Sequence, residues 1–257
     1  MLGVGVSITS PENAAETVAR WIAEGERNYV CVANVHMVME CQRDAELRRI
    51  HNASGLTVPD GRPLSLCGHV ARAHGMRQTR GADLMTTVLE RAAREGWRSY
   101  FLGGAQGTPQ LLARRLAQRF PGLRVVGTRS PPFRRLTALE EDEIVGEINA
   151  SDADLVWVGL SAPKQERWMA THREKLDAPV LLGVGAAFDF LAGLKPQAPI
   201  WVQRLGFEWL FRLALQPKRM WRRYIVNNPE FVLRVIMRPP RLMDGTAERR
   251  GGGDHVA

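Results

Sequence analysis

Asp60 closes a short extended run, Leu56 to Pro59, inside Pro59-Asp60-Gly61-Arg62-Pro63. A carboxylate held at a strand end between two prolines could take a proton from an attacking hydroxyl, a step that typically contributes about 10²–10⁴-fold to a rate. Asp-Gly after an extended run is also an ordinary turn signal, so both readings stand. Asn34 directly follows the apolar run Tyr29 to Val32, has His36 nearby, and opens a helical segment. It suits a helix N-cap as well as a polar group in a site.

Three further strand ends carry unusual residues. Gly103, Gly104 and Gln106 lie in Phe101-Leu102-Gly103-Gly104-Ala105-Gln106-Gly107, where glycines between a strand and a helix let backbone N–H groups approach a diphosphate. The run lacks the GxGxxG spacing and a following acidic ribose partner, which disfavours a nicotinamide dinucleotide. Gly159, Lys164 and Gln165 lie in Gly159-Leu160-Ser161-Ala162-Pro163-Lys164-Gln165-Glu166. Proline there marks a helix start, and the Lys-Gln-Glu cluster in the first turn suits a sugar or phosphate. Asp189 ends Gly183-Val184-Gly185-Ala186-Ala187-Phe188-Asp189 and could accept hydrogen bonds from a base or ribose. No metal constellation is legible: the six histidines show no ligand spacing with carboxylates, and there is no GxSxG and no Cys/His pair.

The elements that must position these residues alternate. Helical spacing over 12–24, 35–52, 82–95, 108–120, 138–150 and 163–175 is interleaved with short apolar runs at 29–32, 56–59, 99–102, 124–127, 155–158 and 180–184. That alternation predicts an α/β fold, a Rossmann-like parallel sheet with helices on both faces. Ligands in such sheets sit beyond the carboxyl ends of the strands, where all these candidates fall. Past Lys195 the pattern changes to three helical pieces punctuated by Pro199, Pro217 and Pro229. The expected organisation is an α/β catalytic body over 1–195, a C-terminal helical appendage over 196–242, and a disordered Gly- and charge-rich tail over 243–257.

The chain has 257 residues and a net charge of +8. Between Lys195 and Leu242 there are ten Lys/Arg against two Asp/Glu, and the rest carries 25 of each sign, so the whole excess sits in one segment. That segment also holds Trp201, Phe207, Trp209, Phe211, Trp221, Tyr224 and Phe231. Basic residues interleaved with aromatics suit an anionic membrane surface, a single-stranded nucleic acid, or a helical hairpin with a solvated basic face. Three cysteines without a CxxC pair argue against a disulfide framework or zinc site and for a reducing compartment. The N-terminus does not read as a signal peptide. The most apolar run, Val180 to Leu194, is interrupted by Asp189 and falls short of the roughly 20 residues a spanning helix needs.

Taken together, these segments resemble the WecG/TagA/CpsF family, glycosyltransferase family 26. The likeness runs from about Leu2 to Val235. It rests on Asn34 with Met37, Pro59-Asp60-Gly61, Arg80-Gly81-Ala82-Asp83-Leu84, Phe101-Leu102-Gly103-Gly104, and Gly159 through Glu166. It continues with Ala198-Pro199-Ile200-Trp201, Gly206-Phe207-Glu208-Trp209-Leu210 and Arg222-Arg223-Tyr224. The resemblance implies a metal-independent, inverting transfer from a UDP-sugar to a sugar linked through diphosphate to a polyprenol, with no cofactor. The sugar would be N-acetylmannosamine, its uronic acid or glucose, and the product would feed teichoic acid or another surface polysaccharide. It implies Asp60 as base, Asn34, Arg80 and Gln165 in the pocket, and Asp189 near the uridine. It further implies an appendage docked on the inner face of the plasma membrane, with Arg212, Arg219 and Arg222 or Arg223 facing phosphate. Nucleic acid is not an expected partner, and self-association is left open. The rival readings are a nucleic-acid-binding protein and an NAD-dependent oxidoreductase. One position departs from the pattern: many members carry Thr two residues before the asparagine, where this chain has Val32.

Overall fold

The computed structural model describes residues 1–199, 202, 208–215 and 217–243, with the side chains of residues 212, 219, 220, 222 and 223 outside the description. Six parallel strands form the sheet: β1 (Asn28–Ala33), β2 (Leu56–Pro59), β3 (Arg98–Gly103), β4 (Arg124–Arg129), β5 (Leu155–Gly159) and β6 (Val180–Gly183), in the order β2-β1-β6-β5-β3-β4. The chain leaves β1 toward one edge of the sheet and returns to the centre from the other edge through β6. The outgoing connections diverge between β3, which leads to β4, and β5, which leads to β6, so the switch point of the sheet lies there.

The helices are α1 (Pro11–Glu24), α2 (Val35–Arg43), α3 (Ala45–Asn52), α4 (Arg62–Val70), α5 (Gly81–Glu95), α6 (Thr108–Arg119), α7 (Ala138–Ala150), α8 (Lys164–His172) and α9 (Ala187–Leu191). After them come α10 (Glu208–Leu215), α11 (Pro217–Trp221), a π-helical turn (Arg222–Val226) and α12 (Asn227–Met237). Strand side chains alternate between two cores, as a period of two requires. Val30, Phe101, Leu155, Trp157, Val180 and Leu182 pack on one face, with Val18 of α1, Val88 of α5, Leu112 of α6 and Phe188 of α9. Tyr29, Cys31, Tyr100, Leu102, Val156, Val158 and Leu181 pack on the other, with Ile50 of α3, Ile144 and Ile148 of α7 and Met169 of α8. Because both faces are covered, the strands read as continuous apolar runs.

The fold class expected from the sequence is the one observed. Three local details differ. The single helix expected over 35–52 is two, because Asp44 adopts an extended backbone and its side chain caps α3 by accepting from the Leu47 N–H at 2.9 Å. Helix α4 was not anticipated. It begins immediately after Asp60-Gly61, with Gly61 at φ 97° and Pro63 in its first turn, so the turn signal at Asp60 is a helix entry. Pro217 and Pro229 lie in first turns, where proline is tolerated, so the stretch from Pro217 to Met237 runs on without an extended break. The expected disordered tail lies, from residue 244 onward, outside the described residues.

A third core joins α2 and α4 to α12: Phe231 is buried among Val35, Met37, Val38, Leu64 and Cys67. At the opposite, amino end of the sheet, buried Arg173 donates from Nη1 to the carbonyls of Asn28 and Pro179 at 3.0 and 3.2 Å. Its Nη2 donates to Leu176 O at 2.8 Å and to Ala178 O. Burial pushes its guanidinium down to about 10.

Candidate active site

A cavity of about 350 Å³ opens at the carboxyl ends of β1, β2 and β6. Its described walls include Asn34, His36, Asp60, Arg80, Asp83, Ser161, Gln165, Gly185, Lys195, and Glu208, Phe211 and Leu215 of α10. Four residues singled out from the sequence, Asn34, Asp60, Arg80 and Gln165, thus share one cavity.

The parallel register sets the first pair. Ala33 lies opposite Pro59, so the next residues, Asn34 and Asp60, leave the sheet side by side. The Asp60 N–H donates to Ala33 O at 2.7 Å, which fixes the backbone of the turn. Asn34 fills both roles its position allowed. Its Oδ1 accepts from the Met37 N–H at 3.1 Å, capping α2, and its Nδ2 donates to Asp60 Oδ2 at 3.4 Å. An amide that donates to a carboxylate favours the ionised form, which is the form a base needs.

Arg80 is the N-cap residue of α5. Its Nε and Nη2 donate to the two oxygens of Asp83 at 2.6 and 3.1 Å, and its Nη1 stands 3.8 Å from Glu208 Oε2. The start of α5 approaches the end of β6 closely, since a Cβ on Gly81 would come within 3.0 Å of Val184 O. Glu208 therefore ties α10 to the sheet body at the cavity rim.

Gln165 is buried in the first turn of α8. Its Nε2 donates to Glu166 Oε1 at 2.9 Å, while Oε1 has no hydrogen-bond partner among the described residues. A Cβ on Gly185 would lie 3.3 Å from that Oε1, and one on Gly183 would lie 3.1 Å from Nε2, so the amide rests against the glycines that end β6. Glu166 is fully buried, and burial raises its carboxyl to about 7 against the opposing effect of its hydrogen bonds.

The other candidates are placed elsewhere. Gly103 and Gly104 do not line the cavity. A Cβ on Gly103 would meet the Gly159 carbonyl carbon at 2.5 Å, and the Gly104 N–H donates to Gly159 O at 3.0 Å. These three glycines bring the ends of β3 and β5 together. Gln106 and Lys164 are exposed and outside the cavity. Asp189 is also outside the lining, but it pairs with Lys195, which lines it. Arg212, Arg219, Arg222 and Arg223 lie in helical backbone, and their side chains fall outside the described residues. Among the described residues no group of three or more His, Cys, Asp or Glu side chains is placed to hold a metal ion.

Sequence reasoning gave no individual role to Glu208, although it stands inside the quoted Gly206–Leu210 motif, or to Lys195. Neither has a local signal, because each reaches the cavity only through the return of the chain over β6.

The carboxyl end of the sheet thus holds a carboxylate-amide pair in a cavity to which a helix of the basic C-terminal segment adds a wall. A family model described as the glycosyl transferase WecG/TagA/CpsF family matches residues 1–244. The chain belongs to this family and is a glycosyltransferase. It is 25% identical over 233 residues, 91% of this chain and 87% of the relative, to a protein of Bacillus spizizenii named N-acetylglucosaminyldiphosphoundecaprenol N-acetyl-beta-D-mannosaminyltransferase. It is also 25% identical over 237 residues, 91% of each chain, to a Staphylococcus aureus protein of the same name. The resemblance seen in the sequence is thereby established, and the oxidoreductase and nucleic-acid readings give way to it.

Proposed function

We propose that this chain transfers an N-acetylmannosamine-type sugar from a UDP-sugar onto a sugar linked through diphosphate to a polyprenol. The product feeds a cell-surface polysaccharide or teichoic acid. The observation that carries this reading is the Asn34–Asp60 pair inside a cavity one wall of which is α10. The names of the relatives supply the sugar and the acceptor.

In this mechanism Asp60 accepts the proton of the acceptor hydroxyl as that oxygen attacks the anomeric carbon. The bond to UDP breaks on the opposite side, so the configuration inverts. Asn34 holds the carboxylate in register. The growing charge on the leaving diphosphate meets donors rather than a divalent ion. The appendage residues Arg212, Arg219, Arg222 and Arg223 are the cations assigned to it, because a planar guanidinium pairs two phosphate oxygens, while Arg80, its fork held by Asp83, forms part of the pocket wall. Gln165 meets the sugar or base, and Lys195, paired with Asp189, lines the donor side.

A polyprenyl-linked acceptor supports a site of action at the inner face of the plasma membrane. No helix among the described residues is long and apolar enough to cross a membrane. Exposed Trp221, Ile225, Val232, Leu233, Ile236 and Met237 lie on the basic segment, which supports peripheral attachment.

The test is to incubate the full chain with a panel of UDP-sugars and a polyprenyl-diphosphate-linked N-acetylglucosamine, with EDTA and with added divalent ion. One disaccharide-lipid product, formed equally in both, is expected. Product only with a divalent ion overturns metal independence. No product from any donor overturns the substrate assignment.

A further inference from the structure

Helix α12 carries apolar residues on more of its surface than it buries. Phe231 is 3% exposed in the third core, and Val235 packs against the same core one turn on. Leu233 and Met237, four positions apart on a neighbouring row, are 58% and 64% exposed. The outer side of a helix on a water-facing surface is ordinarily polar. Here the outer row is apolar, and it forms one wall of a groove of about 930 Å³. That volume falls within the roughly 300–1,000 Å³ typical of small-ligand sites. Pro239 and Pro240 follow the helix end and continue the wall to Met243.

A second wall is the segment 2–5, strapped to α2 and α3. Gln42 Nε2 donates to Leu2 O at 2.6 Å, Asn52 Nδ2 donates to Gly3 O at 3.0 Å, and the Gly5 N–H donates to Asn52 Oδ1 at 2.9 Å. These bonds satisfy the polar backbone of the strap, so the groove stands preformed. Its charges are one-sided. The described lining holds Arg48 of α3, Arg234, Arg238 and Arg241 against one carboxylate, Glu230. Both Glu230 oxygens are taken, by Arg43 Nη2 at 2.7 Å and by Arg234 Nη2 at 2.8 Å. The guanidinium groups of Arg48, Arg238 and Arg241 make no hydrogen bond or ion pair among the described residues. The Arg48 stem runs beside the strap, since a Cβ on Gly3 would lie 3.6 Å from its Cδ.

We propose that this groove holds one anionic phospholipid of the bilayer, its phosphate against Arg48, Arg238 and Arg241 and an acyl chain along Leu2, Leu233 and Met237. An amphiphile with a negative head matches both halves of the lining: unpaired guanidinium forks suit phosphate oxygens, and the apolar row suits hydrocarbon. Arg48 belongs to the α/β body and not to the basic segment. One lipid seated here therefore clamps the body and α12 together, which spreading the segment on a charged surface would not do. The proposal deepens the peripheral-attachment reading and rests on it for the source of the lipid.

The experiment is calorimetric titration of the full chain with dihexanoyl phosphatidylglycerol below its micelle concentration, so that lipid binds as single molecules. One lipid per chain is expected. Arg48→Gln should weaken binding about tenfold, the size of one charged hydrogen bond. Leu233→Ser, at an exposed position where the fold tolerates change, should weaken it by a similar factor. Arg114→Gln removes the same charge from exposed α6, outside the groove, and should stay within about twofold. No binding, or equal weakening by Arg114→Gln, overturns the proposal. Glycerol phosphate binding as tightly as the lipid would make this an anion site only, and dihexanoyl phosphatidylcholine binding as tightly would remove the role of charge. Geranyl diphosphate binding tighter than the lipid, and losing affinity in Arg48→Gln, would reassign the groove to the acceptor's prenyl chain. Each of these three results also overturns the proposal. None of the titrations involves a sugar donor, so the outcome is independent of the transfer reaction. Flotation with anionic vesicles, without lipid bound in the groove, would leave peripheral attachment standing and remove the groove alone.

Discussion

Asn34 Nδ2 and Asp60 Oδ2 meet at 3.4 Å across the ends of neighbouring strands β1 and β2, so the side chain that caps α2 also holds the carboxylate. Removing the carboxylate's basicity should leave the fold alone. Asp60→Asn is expected to lower kcat about 10²–10⁴-fold with an unchanged urea midpoint. Asn34→Ala should slow transfer and also cost about 1 kcal/mol of stability, because it deletes a helix cap. Paired kinetics and urea unfolding of the two variants separate these effects. Full activity in Asp60→Asn would remove it as the base.

Glu166 gives stability a pH dependence whose sign is fixed. Its folded value of about 7 lies above the ordinary 4.5, so between these the folded chain binds more protons than the unfolded one. The stability this group supports is full below about pH 4.5, falls as pH rises, and is gone above about pH 7. Glu166→Gln should therefore be more stable than the parent at pH 8, on the order of 3 kcal/mol, and nearly equal to it at pH 4.5. Urea titrations at the two pH values check this; equal gains at both would place the effect in packing.

Arg173 ties four carbonyls at the amino end of the sheet. Arg173→Met should destabilise by about 3 kcal/mol or more, since carbonyls left unpaired in the interior each lose a bond they cannot replace. Any transfer activity of the remaining folded fraction should keep its KM, because the site lies at the other end of the strands. Thermal unfolding and KM measured on one preparation test both halves.

Gly103 has φ 124° and no room for a Cβ against Gly159. Gly103→Ala should cost about 1–3 kcal/mol through backbone strain and the forced separation of β3 from β5. Donor KM in the folded fraction should not change. A raised donor KM with unaltered stability would instead make the turn a phosphate cradle.

Peripheral attachment by the basic segment predicts flotation of the full chain with vesicles containing anionic lipid and not with neutral ones. Binding should fall steeply as salt is raised toward 1 M, where the screening length is about 3 Å. Salt-independent binding to both vesicle types would point to the exposed apolar side chains alone.

Much of this molecule was legible because its signals are local. Runs such as Leu155 to Val158 declare buried parallel strands through composition, and Ser10-Pro11 declares a helix start. Asp60 and Asn34 stood out because each follows such a run, and any residue in that position of a parallel sheet faces the ligand side. Asp44 and α4 were less legible: one aspartate in a helical pattern and one Asp-Gly pair each permit two backbone paths, and neighbouring packing selects between them.

The sequence by itself determined the α/β class, the strand ends where chemistry could occur, and the family. Only the tertiary structure decided which strand ends converge. Strand order, not spacing, puts Asn34, Asp60, Arg80 and Gln165 around one cavity and turns the glycines at 103, 104 and 159 into a packing contact. The contact between His36 and Asn227, 191 positions apart, was likewise beyond sequence reach, as was the Arg43 bond on the far side of that amide. Contacts between distant positions arise when helices dock on a completed sheet, and no local propensity encodes them.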